Sequence, residues 1–272
     1  MKKDSLSLFL SLLMYLCIFS VMAVFFILIG FIFYKGILHL DFSLFAWEYN
    51  SQNISMTPAI INTLNMVFFA LLISVPLGIF GAIYLSEYAS KKSKMLSLVR
   101  VASETLVGIP SIVYGLFGYL AFVVYFGFKI SFIAGVLTLS IMILPLILRS
   151  GEEALKSVPI AFREAAFALG ASKLRVVFAI VLPSAILGIL AGIILGIGRI
   201  VGESAALLYT SGSVAKIAGV LDSGRTLSVH MYVLSSEGLH INQAYSTAMV
   251  LIIIVFFMNL GANFVAKRVF KG

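Results

Sequence analysis

The chain has 272 residues, 61% of them hydrophobic and only 11% charged, with a mean hydropathy of +1.13. Soluble domains carry about 25% charged residues, so no soluble fold hides this much apolar surface, and lipid is the solvent that matters. The formal net charge of +8 does not mark a nucleic-acid binder, because the Lys and Arg lie between apolar runs rather than on one solvated face.

A helix needs about 20 apolar residues to cross the hydrocarbon core, and six runs are candidates: 8–33, 58–85, 101–125, 131–148, 184–209 and 244–266. The reading is an all-α, polytopic membrane domain. The first run follows Lys2 and Lys3, is about twice as long as a secretory h-region and lacks a small-residue cleavage site, so it reads as an uncleaved anchor. Cys17, the only cysteine, sits inside it, which excludes an intrachain disulfide or a thiolate metal site. The short outer loop after it carries Phe42, Phe45, Trp47 and Tyr49, rings expected at headgroup level. Thr57 and Pro58 then suit the cap and first position of the second helix.

Pro76, Pro110 and Pro145 fall inside the second, third and fourth runs. Each removes a backbone hydrogen bond and can bend its helix, which a membrane tolerates where neighbours satisfy the freed carbonyls. Arg100 and Glu104, four residues apart, mark the inner end of the third run as a candidate part of a translocation path or a snorkelling pair. With both termini in the cytoplasm, fourteen Lys and Arg fall inside and five outside, which orients the chain by the positive-inside rule. No internal repeat supports an inverted-repeat transporter.

The inner segment 149–183 is neither a polar linker nor a span. Ser157-Val158-Pro159 reads as a helix start, and Phe162, Ala165, Ala166 and Leu169 recur at helical spacing. Gly170 suits a left-handed helix end, and Ser172 a cap for a second short helix through Leu174, Val177 and Phe178 to Pro183. Such a stripe outside the membrane needs a cover, either a partner groove or the bilayer surface.

The fifth run holds Arg199 and Glu203, four residues apart and so expected on one helix face. Ionisable groups within a span are costly and face a partner or a watery path, so the two read as path residues or as a structural ion pair. Gly188, Gly192 and Gly196, followed by Gly202, make a small-residue row expected to pack closely near a subunit interface. The outer segment 211–243, with Leu227, Val229, Met231, Tyr232 and Leu234, reads as a contact for an external protein or as an outer plug, and His230 and His240 form no metal-ligand cluster. No Gly-x-x-x-x-Gly-Lys-Ser/Thr loop is present, so the chain has no usual means of holding ATP.

The spelling Glu164-Ala165-Ala166, three residues, Gly170, nine residues, Ile180-Val181-Leu182-Pro183 resembles the EAA signature of permease subunits of binding-protein-dependent ABC importers. The resemblance implies a type I (MetI-like) permease architecture and assigns Glu164, Ala165, Ala166, Gly170, Leu182 and Pro183 to coupling with a separate ATPase. Thr57 to Leu64, Pro76 to Ile79, Ala82 to Tyr88, Gly108 to Gly118 and Arg199 to Ala205 further resemble the phosphate permeases, the paired PstA and PstC subunits. Length and the short first outer loop look more like the PstA type.

That resemblance implies a bacterial inner-membrane subunit for phosphate import, paired with a PstC-type subunit, an ATPase dimer and an external phosphate-binding protein. ATP and magnesium would be used by the ATPase, with no cofactor and no catalytic residue in this chain. The expected division is an anchor helix and outer loop over 1–56 and a permease core over 57–272. The alternatives are the PstC-type subunit, a permease for sulfate, molybdate or phosphonate, and, from another class, an ATP-independent channel or membrane scaffold. A membrane enzyme lacks a His, Asp or Cys constellation within the spans.

Overall fold

The computed structural model describes residues 5–89 and 94–269, and every regular element among them is helical. Of the residues used for orientation, Lys2, Lys3, Lys91, Lys92 and Lys271 lie outside the described residues. In chain order come α1 (Ser5–Leu38), a 3-10 turn (Phe42–Phe45), α2 (Thr57–Ile83) with a π-helical turn to Tyr88, and α3 (Lys94–Val107). Then follow α4 (Ser111–Gly118) with a π-helical turn to Tyr125, α5 (Phe132–Ser157), α6 (Ile160–Ala168), and α7 (Lys173–Val176), which winds into α8 (Leu182–Gly202). Three helices close the chain: α9 (Ala205–Thr210), α10 (Leu227–Glu237) and α11 (Ile241–Val269).

Five helical stretches are long and apolar enough to cross a membrane, and a bent pair makes a sixth. That pair is the third expected span, which is not one helix: its halves, Leu96–Val107 and Ser111–Tyr125, meet at 105°. Pro110 causes the break, because it lacks an N–H and takes an extended conformation at the start of α4. The Tyr114 hydroxyl bolts the bend by donating to the Leu106 carbonyl at 2.8 Å.

Two boundaries differ from expectation for identifiable reasons. Helix α5 runs on to Ser157 instead of ending near 148, held by the i,i+4 pairs Arg149–Glu153 at 2.9 Å and Glu152–Lys156 at 2.7 Å. Helix α8 stops at Gly202 rather than near 209, and Glu203 continues in extended backbone. At the start of α2, Met56 rather than Thr57 occupies the cap position, with proline in the first turn as expected.

Helices α2 and α5 form the centre. A Cβ on Gly78 would lie 2.7 Å from Ile147 Cγ2, and one on Gly151 2.9 Å from Ala82 Cβ, so the two backbones interlock at glycine. Around them Met66, Leu139, Met142 and Ile143 make a core midway along the spans, while Ala82, Leu155, Val177 and Val181 make another at the end expected to face the cytoplasm, the inner end. Lipid tails are as apolar as these side chains, so close packing rather than water exclusion holds such helices together. Helix α1 presents most of its length outward and touches the bundle through α11, where Ser246 donates to the Gly36 carbonyl at 2.9 Å.

Candidate coupling and translocation site

The inner end is built from α6 and α7. Pro159 stands before α6 with fixed φ, and Gly170 after it takes φ +78°, a left-handed turn natural to glycine. Ser172 stands at the start of α7 in extended backbone, but its hydroxyl makes no cap; only its carbonyl is used, by Val176 N–H. The expected apolar stripe divides. Ala166 turns inward against the inner core, whereas Phe162, Ala165 and Leu169 face out, Leu169 being 89% exposed. Ile160, Phe167 and Leu174 widen this outward apolar surface, and Glu164 stands exposed at its edge. Leu182 and Pro183, by contrast, open α8, with Leu182 packed against the inner core.

The chain fastens this segment through residues that motif reading missed. Arg163 Nη2 and Nε donate to the two Glu87 oxygens at 2.7 and 3.3 Å, while Nη1 and Nη2 also donate to the Val158 and Leu155 carbonyls at 2.7 and 2.8 Å. Beside it, the Lys173 ammonium lies 4.5 Å from the Tyr88 ring centre. The partners are far apart in sequence, so only the presence of a lone acid at the end of the second apolar run could have hinted at them.

Arg100 and Glu104 do not act as a pair. Arg100 turns to Glu152 at 2.6 Å, and Glu152, 6% exposed, also holds Lys156. Glu104 stays exposed on the rim of the cleft formed with Arg149, Glu153 and Lys156. This inner cluster balances its charges between α3 and α5.

Arg199 and Glu203 also part company. Because α8 ends at Gly202, the two are not on one helix face, and no ion pair joins them. Glu203, 7% exposed, accepts the Ala206 N–H at 3.0 Å and so starts α9, while its carbonyl takes the Ser228 hydroxyl at 2.6 Å. Arg199 remains half-buried on α8, within electrostatic reach of the Tyr114 ring and without an ion-pair partner among the described residues. Two glycines of the row pack closely, on a helix of the same chain. Cβ atoms on Gly188 and Gly192 would run into Ala154 and Ser150 of α5 in the same chain, and only Ile147 stands near Gly196. Gly202 alone of the four faces open space, as does Gly198 beside Arg199.

At the opposite end, expected to lie outside and so the outer end, Asn62 of α2 holds the loop before α10. Its amide donates to the Lys216 and Arg225 carbonyls at 2.8 and 3.1 Å and accepts the Ala218 N–H at 3.0 Å. Thr63 adds a bond to Leu227 N–H at 2.8 Å. Leu227, Val229 and Leu234, expected to meet an outside protein or to plug the outer gate, are buried, and only Tyr232 of that group is well exposed. Phe42 and Trp47 face outward, but Tyr49 is drawn under Arg225, whose guanidinium carbon lies 4.6 Å from its ring centre. His230 is buried beside both, and burial together with the Arg225 charge pushes its pKa down to about 3.

Comparison with known proteins matches residues 74–271 to a family described as the inner membrane component of binding-protein-dependent transport systems. A probable ABC transporter permease, YqgI of Bacillus subtilis, is 35% identical over 228 residues, covering 77% of each chain. The phosphate transport system permease PstA 1 of Mycobacterium tuberculosis is 36% identical over 217 residues, 77% of this chain and 71% of that one. PstA 2 of Mycobacterium bovis reaches 45% identity over 154 residues, 57% of this chain and 50% of its own. Among solved structures, a bacterial alginate ABC transporter overlays with TM-score 0.69 at 17% identity, covering 99% of both chains, and the inward-facing MetNI methionine transporter with 0.61 at 20%, covering 78% and 93%. The fold thus agrees with the MetI-like expectation, and the extent of the family match leaves one conclusion: this chain belongs to the inner-membrane permease components of binding-protein-dependent ABC transport systems.

Proposed function

We propose that this chain is the PstA-type permease of a phosphate importer, forming half of the translocation path in the bacterial inner membrane with both termini in the cytoplasm. The similarity to relatives named phosphate transport permeases supports the substrate. The observation that carries the site is Arg199: a half-buried guanidinium at the end of α8, without an ion-pair partner among the described residues and beside the open flanks of Gly198 and Gly202. An unpaired cation in a span is costly unless a watery path or an anion meets it. A guanidinium presents a flat fork of donors that suits an oxyanion. Glu203, spent on starting α9, leaves that charge available rather than quenching it.

The other half of the path is a PstC-type subunit, and an external phosphate-binding protein delivers substrate to the outer face. Work comes from an ATPase dimer that binds ATP and magnesium. Its groove receives Glu164, Ala165 and the outward apolar surface of α6, with Gly170 ending that helix cleanly. Ala166 and Leu182 support the segment from behind, and Pro183 stands in the first turn of α8. ATP binding closes the ATPase dimer, shifts α6 and opens the bundle outward; hydrolysis reverses the change.

The test is uptake of radiolabelled inorganic phosphate into vesicles holding the purified complex, with ATP hydrolysis read in parallel. Arg199→Gln is expected to cut uptake by about a hundredfold with the complex intact, the loss typical of one charged donor acting on a desolvated anion. Glu164→Lys is expected to lower hydrolysis and uptake together. Uptake of sulfate or molybdate instead of phosphate would reassign the substrate, and native uptake by Arg199→Gln would remove that residue from the path.

A further inference from the structure

We propose that Arg163 and Glu87 form the joint through which movement of the coupling helix reaches the transmembrane helices, and that α2 carries that movement to the outer loop. This deepens the permease reading and rests on it. Arg163 belongs to α6, yet none of its bonds described above goes to its own helix. It grips Glu87 at the inner end of the second span and, with the same guanidinium, the Leu155 and Val158 carbonyls where α5 ends. Those carbonyls lie among the last groups of a helix, which lack intrahelical partners and attract a cation. One planar fork therefore gathers three elements, which a lysine, a point charge on a flexible stem, cannot do at once.

The pair is shielded, the side chains being 16% and 10% exposed, so water screens it little. The Lys173 ring contact with Tyr88 fastens the neighbouring turn to the same helix end. From Glu87 the second span continues as one helical stretch to the outer side, where Asn62 holds the 216–225 loop by three hydrogen bonds. Twenty-five residues of helix span about 38 Å. Along the way Gly78 and Gly151 lock α2 to α5 without room to slide. A push on α6 is thus delivered to the α2–α5 pair as a unit, and the outer loop, tied to α2, moves with it. Arg163 is a positioning residue: it touches neither substrate nor nucleotide.

The experiment uses the whole complex purified through this chain and reads the ATP hydrolysis stimulated by its binding protein, above the basal rate, beside phosphate uptake. Glu87→Arg and Arg163→Glu are each expected to lose the stimulated part by about tenfold, within the range of coupling effects from residues that contact no ligand, while assembled complexes keep basal hydrolysis. The exchanged double variant, Glu87→Arg with Arg163→Glu, is expected to recover most of it; Glu87→Gln, which keeps the side-chain shape, gives a reading if a reversal prevents assembly. Native stimulation in Glu87→Gln or in a single reversal, or an exchange no better than its assembled single variants, would overturn the joint. A native complex that responds to its binding protein yet takes up no phosphate would overturn the substrate reading and leave the joint to be judged on hydrolysis.

Discussion

The two ends of this permease are held together by different chemistry. Inside, ion pairs do the holding: Glu87 with Arg163, and Glu152 with Arg100 and Lys156, beside an outward apolar surface on α6. Outside, the ties are buried bonds between an amide or hydroxyl and the backbone, centred on Asn62 and Thr63. Charge–charge attachment at the edge of water survives small shifts, because Coulomb attraction falls off slowly with distance. Hydrogen bonds to a sequestered backbone lose most of their value when misaligned. The difference agrees with the proposed roles, an inner end moved by the ATPase and an outer end that follows α2.

The largest effect that would sharpen the comparison is expected at Asn62. Asn62→Leu fills similar space but strands two carbonyls and one N–H within the structure, a cost of about 3 kcal/mol from unsatisfied backbone groups. Limited proteolysis between 212 and 226 is expected to accelerate strongly, while ATPase binding at the inner end is unchanged. A loop that stays as resistant as in the native chain would mean the outer end is not held this way.

The glycine row gives a middle-sized effect. Gly192→Val drives a side chain into Ser150 of α5, and overpacking of this kind costs about 2 kcal/mol; Ser150→Gly is expected to recover part of it. Gly198→Ala, with open space around its Cβ, is expected to leave the thermal unfolding midpoint of the complex unchanged. Equal losses at both positions would mean that the row packs on another chain instead of on α5.

This row shows where sequence reading stops. Spacing in Gly188, Gly192 and Gly196 announces a close neighbour, but nothing in a single helix says whether that neighbour is α5 or a second subunit. Hydropathy located all six membrane stretches and the inner segment, because lipid selects on apolar length alone. It could not see α8 end at Gly202, since Ala205, Ala206, Leu207 and Leu208 continue the apolar run; the break depends on one carboxylate turning back to the Ala206 N–H. The Arg199–Glu203 spacing was therefore legible and its geometry was not. Pro110 did announce a disturbance, but proline sets no angle, and the 105° bend is fixed by how α4 packs against α9.

The smallest effect concerns acid. His230 sits at the outer end with its pKa near 3, held neutral by burial and by the Arg225 charge above Tyr49. An unfolded chain would carry an ordinary histidine with pKa about 6.5. Below that value the unfolded state takes a proton that the folded state refuses, so the contribution to stability is complete above pH 6.5 and declines as pH falls toward 3. At pH 5.5 the loss is about 1 kcal/mol, from one unit of difference in binding. His230→Gln removes the titrating group, so the unfolding midpoint of the complex is expected to fall less between pH 7 and 5.5 than in the native protein. The inner end has no comparable buried histidine among the described residues, and Arg163→Lys is expected to lower the midpoint equally at both pH values. If His230→Gln retains the full acid loss, the proton is taken up elsewhere, and the contrast between a charged inner joint and a neutral outer one must be drawn from the hydrogen bonds of Asn62 alone.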